Sequence, residues 1–361
     1  MTPIPPGTTI GIVGGGQLAR MLAIAAAQLG YRSHIYAPEA SGPAADVCAG
    51  WTRAAYDDAE ALSHFAETVD VITYEFENVP AGAVALLAGL GHVQPNAEAL
   101  RVAQDRLLEK SFVTGLGGRT APYAGASHRA ALRTAIDTIG APAILKTTRF
   151  GYDGKGQVRM ADADPATLDH AWSEIGGQPA VLEGFVHFEH EFSVILVRGH
   201  DGELRFWDSA LNVHESGILA TSTVPAPSPV LAQLDEARAI AAKVAAALDY
   251  VGVLTLEFFA SADGPIFNEM APRVHNSGHW TIEGAVTSQF ENHIRAICGL
   301  PLGSTELVVP AVSMRNLIGE QAHDWKEILS DADSHLHLYG KHEARPGRKM
   351  GHVTRLHLGE A

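Results

Sequence analysis

Asn268-Glu269-Met270-Ala271-Pro272-Arg273-Val274-His275-Asn276-Ser277-Gly278-His279-Trp280 gathers a carboxylate, an arginine, two histidines and two asparagines within thirteen residues. Such groups are buried only with partners, so the chain must leave its core here, just after a short apolar strand. Upstream, Val253-Leu254-Thr255-Leu256-Glu257-Phe258-Phe259 reads as a second strand, and Ser261-Ala262-Asp263-Gly264-Pro265 between the two is a hairpin signal. A three-residue loop over 262–264 sets Ser261 opposite Pro265 and Glu257 opposite Glu269, on one face of the ribbon. A two-residue Asp263-Gly264 turn shifts the register by one and sends the two carboxylates to opposite faces. Spacing leaves both registers open. In the first, facing carboxylates repel, and an apolar ribbon that carries them suggests a cation between them. Oxygen-only ligands suit Mg²⁺, which carboxylates commonly share with substrate phosphates.

The 361-residue chain is long enough for two or three domains. Its net charge of -15 argues against a nucleic-acid surface, though a local basic cluster can still hold an anionic ligand. Cys48 and Cys298 are the only cysteines, so no disulfide framework is expected and a reducing cytoplasm is. The start, Met1-Thr2-Pro3-Ile4-Pro5-Pro6-Gly7, has neither the basic nor the apolar region of a secretory leader. No run approaches the roughly 20 apolar residues of a membrane span.

Thr9-Ile10-Gly11-Ile12-Val13 is a buried strand running through Gly14-Gly15-Gly16-Gln17-Leu18-Ala19 into an apolar helix. Glycines at this strand-to-helix turn let the backbone approach an anion at the helix N-terminus, the fingerprint of a doubly wound domain. A tight turn with no ligand is the plain alternative. Val71-Ile72-Thr73-Tyr74 is a further strand, with Glu75 and Glu77 at its C-terminal end, where open α/β sheets bind ligands. Asn96 is an N-cap for one long helix through about Phe112, containing Arg106 and Lys110.

Pro142-Ala143-Ile144-Leu145-Lys146 is a strand ending in lysine, followed by Gly151-Tyr152-Asp153-Gly154-Lys155-Gly156-Gln157. It is not a Walker loop. A plain hairpin would not explain a lysine entering on an apolar strand, so we read it as a loop that covers phosphates with backbone N–H groups. Glu183 ends another strand, where a carboxylate can take an adenine amino group, and Glu191 is placed to hold a ribose. Each alone is also ordinary surface. In the tail, Lys341 and Arg345-Pro346-Gly347-Arg348-Lys349-Met350-Gly351-His352 concentrate basic residues in an acidic protein. They are either a solvated face or the anchor of an anionic substrate.

The glycine stretch at 14–20, Lys146, the 151–157 loop, the 268–280 run and the 345–352 run resemble, in this order, the N5-carboxyaminoimidazole ribonucleotide synthase family. These are ATP-grasp enzymes of purine biosynthesis, and the resemblance covers nearly the whole chain. It implies an α/β and α+β chain with the ATP-grasp fold, an N-terminal doubly wound (Rossmann-like) domain and a small C-terminal domain. Expected bounds are 1–100, 101–298 with a lid at about 114–182, and 299–361. The implied reaction joins bicarbonate to 5-aminoimidazole ribonucleotide at the cost of ATP, through carboxyphosphate. Mg²⁺ is the implied metal. No nucleic-acid or membrane partner is expected, and a cytoplasmic homodimer is.

By the same resemblance, Arg106, Lys146, Gly151, Gly154, Gly156 and Gln157 bind ATP. So do Glu183, Gly184, Phe185, Val186, Glu191 and His214, with Asn268 and Glu269. Glu257 and Glu269 hold the metal, which favours the facing register. Tyr152, Asp153, Lys155, Arg273, His275 and Asn276 surround bicarbonate and the reacting amine. Gly15, Gly16, Gln17, Leu18, Glu75, Glu77, Lys341 and Arg348 hold the ribonucleotide. The nearest alternative is another ATP-grasp ligase acting on a small phosphorylated amine, against which the 345–352 run argues. A nicotinamide-dependent dehydrogenase would leave the facing carboxylates unexplained. A non-catalytic regulator would bind Mg-ATP without bicarbonate-dependent turnover.

Overall fold

The computed structural model describes residues 2–149, 151 and 156–359. Tyr152, Asp153, Gly154 and Lys155 of the expected phosphate loop lie outside the described residues.

Four parallel strands open the chain: β1 (Thr9–Val13), β2 (Arg32–Ala37), β3 (Gly50–Arg53) and β4 (Val71–Tyr74), in the order β3-β2-β1-β4. Strands buried on both faces read as unbroken apolar runs. Here the helix Gln17–Gln28 covers one face through Leu22 and Ala26. Helices Ala59–Glu67 and Ala81–Leu90 cover the other through Phe65 and Leu87. The doubly wound reading of the N-terminal region is therefore borne out.

A second sheet is built from β5 (Tyr123–Ala126), β6 (Ala143–Thr147), β7 (Gln157–Met160) and β8 (Ala180–Gly184), in the order β5-β8-β6-β7. It has its own small core, centred on Leu132, Ile136, Leu145 and Leu182.

The third sheet holds nine strands. They are β9 (His190–Arg198), β10 (Leu204–Phe206), β11 (Ala210–Glu215), β12 (Ile218–Val224), β13 (Gly252–Ser261), β14 (Gly264–Ala271), β15 (Ala311–Ile318), β16 (Ser334–Leu338) and β17 (Lys349–His357). Their order is β14-β13-β9-β11-β12-β15-β17-β16, with β10 also on β9. In β9, Val194 and Leu196 pack with the helix Leu234–Ala247, while Ile195 and Val197 pack with the helix Gln289–Ile297. Both faces of this strand are covered, which is why its sequence is continuously apolar.

The single long helix expected from Asn96 is instead two, Ala97–Ala103 and Arg106–Gly115. Asp105 ends the first and caps the second, accepting from the N–H groups of Leu107 and Leu108 at 3.1 and 3.3 Å. An aspartate here offers the backbone a better partner than another helical turn would.

Candidate active site

The β13–β14 ribbon carries the first part of the site. Its turn is neither of the two expected. Ser261 faces Gly264, so Ala262 and Asp263 form the loop, and Gly264 takes a positive φ of 109°. The pairing then runs in step to Phe258 opposite Phe267. Continued, that step would put Asn268 opposite Glu257 and send Glu269 to the other face. Instead the register slips at Asn268, a β-bulge, and Glu257 comes to face Glu269. The facing pair is thus present, but a bulge makes it and not a three-residue loop.

The two carboxylates differ sharply. Glu269 is 2.8 Å from the Arg106 guanidinium. Burial would raise it, but Arg106 outweighs burial and holds it well below the usual range. Glu257 has the His275 ring at 3.2 Å. Burial, and then the charge of Glu269, push it up to about 7. Beside them the Asn268 side-chain oxygen is buried without a hydrogen-bond partner. Two carboxylates short of positive charge and an unpartnered amide oxygen form an all-oxygen donor set that suits Mg²⁺. Among the described residues, no group of three or more His, Cys, Asp or Glu is arranged to hold a metal. A cation here would therefore rest on this pair together with oxygens of a bound ligand.

Lys146 projects from β6, with its ammonium 2.9 Å from Glu183 of β8. Lys110 lies 3.1 Å from the other Glu183 oxygen. Burial would raise Glu183, and the two lysines outweigh it. Lys146 hydrogen-bonds one Glu183 oxygen, while the other, in ion-pair range of Lys110, has no hydrogen-bond partner and is left able to accept from a ligand. Glu191 of β9 lies 2.7 Å from His214 of β11. The Arg106 N–H donates to the Thr148 carbonyl at 3.0 Å. Its guanidinium reaches the Gly151 carbonyl at 3.5 Å.

The N-terminal glycine turn departs from expectation. Two of its amides are taken by a carboxylate of the protein itself. Gly16 N–H donates to one Glu75 oxygen at 2.6 Å and Ala19 N–H to the other at 3.1 Å. A protein carboxylate therefore fills the anion position at the helix N-terminus. A Cβ on Gly16 would sit 2.5 Å from a Glu75 oxygen, so this glycine is needed for Glu75 itself. Gly15 is packed against Trp51. What the turn offers a ligand is Gln17 and Leu18, which line a cavity of about 890 Å³ together with Glu75 and Glu77.

That cavity brings together Arg106, Gly151, Glu257, Glu269, Arg273 and His275 with Asn276, Lys341 and Arg348. It does not reach Lys146, Gly156, Gln157, Glu183, Glu191, His214 or Asn268. Arg273 is bonded to Glu77 of the first domain. His275 is fixed through its backbone: its N–H donates to the Gln289 side-chain oxygen at 2.9 Å, and its carbonyl accepts from the Gln289 amide at 2.7 Å. Burial, then the charges of Arg273 and Lys349, hold its imidazole far below the usual range, so it is neutral. Asn276 and Asn316 of β15 exchange reciprocal amide bonds of 2.9 and 2.7 Å. In the tail, Lys341 donates to the Lys349 carbonyl at 2.6 Å and Arg348 to the Glu343 carbonyl at 3.0 Å. Gly340 lies against Arg20 and Asp46, so the tail does return to the first domain.

Gln289, Asn316, Arg345 and Lys349 were not singled out by sequence. The first two are amides inside apolar elements, an available but weak signal. The last two sit in the quoted basic run.

Three family models match the chain. The ribonucleotide synthetase preATP-grasp domain matches residues 7–104, the ATP-grasp domain 111–290, and the phosphoribosylaminoimidazole carboxylase C-terminal domain 312–358. The chain is 52% identical, over 98% of each sequence, to the N5-carboxyaminoimidazole ribonucleotide synthase of Brucella melitensis. It resembles the crystal structure of an N5-carboxyaminoimidazole ribonucleotide synthetase in complex with ADP (TM-score 0.93, 41% identity, 99% of this chain and 95% of that one). It also resembles the Aspergillus clavatus enzyme in complex with ADP and 5-aminoimidazole ribonucleotide (TM-score 0.90, 31% identity, 97% and 94%).

Proposed function

The chain belongs to the N5-carboxyaminoimidazole ribonucleotide synthase family of ATP-grasp ligases, and on that premise we propose how its residues divide the reaction. The family's reaction is the ATP-dependent carboxylation of 5-aminoimidazole ribonucleotide in purine biosynthesis. Arg106, Lys146 and the 151–157 loop hold the phosphates of ATP. Glu183 and the main chain of Gly184, Phe185 and Val186, with Glu191 and His214, hold its nucleoside. Glu257 and Glu269 hold Mg²⁺ beside Asn268. When bound, the metal neutralises phosphate charge as a Lewis acid. Arg273, His275 and Asn276, with Tyr152, Asp153 and Lys155, surround bicarbonate. Gln17, Leu18, Glu75, Glu77, Lys341 and Arg348 hold the ribonucleotide.

Phosphoryl transfer needs positioning and charge neutralisation more than covalent help. Carboxyphosphate formed from bicarbonate then gives its carboxyl carbon to the exocyclic amine. The new bond is C–N, phosphate leaves, and the amine loses a proton. The departing phosphate, a far stronger base than an imidazole held well below its usual range, takes that proton, while His275 is fixed beside Glu257 to position the reactants.

The observation that carries this reading is the single cavity. It joins the carboxylate pair and His275 to Gln17, Lys341 and Arg348, so that chemistry and phosphate anchor share one volume. We place the functional divisions at 1–100, 101–298 with its lid, and 299–361, and the protein in the cytoplasm as a homodimer. Among the described residues, no helix is long and apolar enough to cross a membrane. The test is phosphate release with ATP, bicarbonate and ribonucleotide omitted in turn. Full-rate release without bicarbonate would refute the assignment.

A further inference from the structure

The helix Arg106–Gly115 meets the ribbon where its ladder is interrupted. Asn268 has no cross-strand partner. Its carbonyl accepts from Lys110 Nζ at 3.2 Å. Two residues on, the Met270 N–H donates to Glu109 Oε1 at 2.6 Å. Glu269 lies between these two bonds, so adjacent helix residues grip the backbone on either side of it.

A bulge leaves backbone groups without ladder partners, and such groups are costly if buried unpaired. β14 is also the edge strand of its sheet, and on this open side Lys110 and Glu109, both almost wholly buried, take the Asn268 carbonyl and the Met270 N–H on either side of the slip. Burying a lysine and a carboxyl group, the latter pushed up by burial to about 8, is an expensive way to close two backbone bonds. Apolar packing would hold the helix on the ribbon at less cost. What these two long polar side chains add is a fixed register, because without the slip Glu269 would leave the face it shares with Glu257. One turn earlier, Arg106 holds the Glu269 carboxylate itself. Lys110 also reaches Glu183 on β8, which joins the grip to the second sheet.

We propose that Glu109 and Lys110 are positioning residues that hold the Asn268 bulge in register and thereby aim Glu269 at the cation it shares with Glu257. Neither needs to touch the metal or a substrate. The inference rests on Glu257 and Glu269 being the metal pair.

The test uses the full-length protein with Lys110→Met, Glu109→Leu and Glu109→Gln. Binding of Mn²⁺ with ADP is read by electron paramagnetic resonance, amide exchange by mass spectrometry on the peptide containing Met270, and the Mg²⁺ requirement by steady-state turnover. Lys110→Met and Glu109→Leu should each weaken Mn²⁺ binding and raise the Mg²⁺ requirement about tenfold, the scale of one lost buried bond. Exchange at Met270 should rise, and KM for the ribonucleotide should stay within about twofold of the parent. Glu109→Gln keeps an oxygen for the Met270 N–H and should stay near the parent in all readouts. Unchanged Mn²⁺ affinity in Lys110→Met and Glu109→Leu, with only a lower melting temperature, would mean a purely structural role and overturn the proposal. A loss in Glu109→Gln equal to that in Glu109→Leu would overturn it too, and this variant remains available if Glu109→Leu fails to fold. Glu269→Gln is the control: if it leaves Mn²⁺ binding intact, the metal assignment fails and not the grip.

Discussion

Arg106 lies 2.8 Å from Glu269, so one carboxylate of the facing pair is neutralised within the protein while Glu257 is not. The His275 ring at 3.2 Å from Glu257 is kept neutral by burial, and the weaker pull of His214 does not offset burial and Glu269. The pair therefore has room for one more positive charge. Glu257→Gln and Glu269→Gln should each lower turnover by roughly a hundredfold or more, the usual cost of losing a preorganised electrostatic contact to a transferring group. Steady-state assays over a Mg²⁺ titration check this. Near-parental turnover at ordinary Mg²⁺ in either variant would remove the pair from the metal site.

Lys341 and Arg348 line the same cavity as Gln17 and Glu75. Arg gives phosphate oxygens a bidentate fork and Lys a point charge. Arg348→Ala should weaken ribonucleotide binding by roughly 1.5–3 kcal/mol, about ten- to a hundredfold in KM, and leave the KM for ATP near its parental value. Collapse of ATP binding with ribonucleotide binding preserved would assign the tail to the nucleotide instead.

His293 ties the first sheet to the ribbon: Nε2 is 2.9 Å from the Thr73 hydroxyl, and Nδ1 accepts from Val253 N–H at 3.2 Å. Burial pushes its pKa down to about 3. The unfolded chain takes up this proton below about pH 6.5 and the folded chain does not, so stability falls as pH drops from there toward 3. This one group contributes a slope of about 1.4 kcal/mol per pH unit in that window. Urea unfolding at pH 7 and pH 5 should show the loss, with a shallower slope in His293→Gln. Equal slopes in the two proteins would show that His293 is not the group responsible.

Asp105 accepts from two N–H groups at the start of the helix that carries Arg106, Glu109 and Lys110. Its other oxygen is 3.2 Å from Arg149. Asp105→Ala should cost about 1 kcal/mol of stability, and Asp105→Asn much less. Thermal unfolding of the two variants separates capping from loss of the ion pair, since Asn keeps the cap and loses the charge. Equal destabilisation would point to Arg149.

The strands of the ribbon, the doubly wound start and the polar run after Met270 were legible because each depends on local alternation and turn chemistry. The Asn268 bulge was not. It is stabilised by Glu109, 161 positions from Met270 in the chain. Glu75 was legible as an acid at a strand end, but not as the group filling the glycine turn, which lies 59 positions away from it. A local fingerprint shows that an anion is welcome and does not say whose anion it is. The helix break at Asp105 was readable, since aspartate is a strong N-cap, but the apolar spacing running through it outweighed that sign. The two lysines beside Glu183 were not legible, because they arrive from separate elements.

β12 pairs with β11 on one side and with β15 on the other, so the strands of the C-terminal segment continue the sheet that carries Glu257 and Glu269. A chain cut before residue 311 would leave β12 as a bare margin, with those N–H and C=O groups of Thr221–Val224 that face β15 unpaired. Open margins of this kind recruit strands from other molecules. The tail therefore covers a sheet margin as well, and the ATP-grasp portion expressed alone should self-associate through β12.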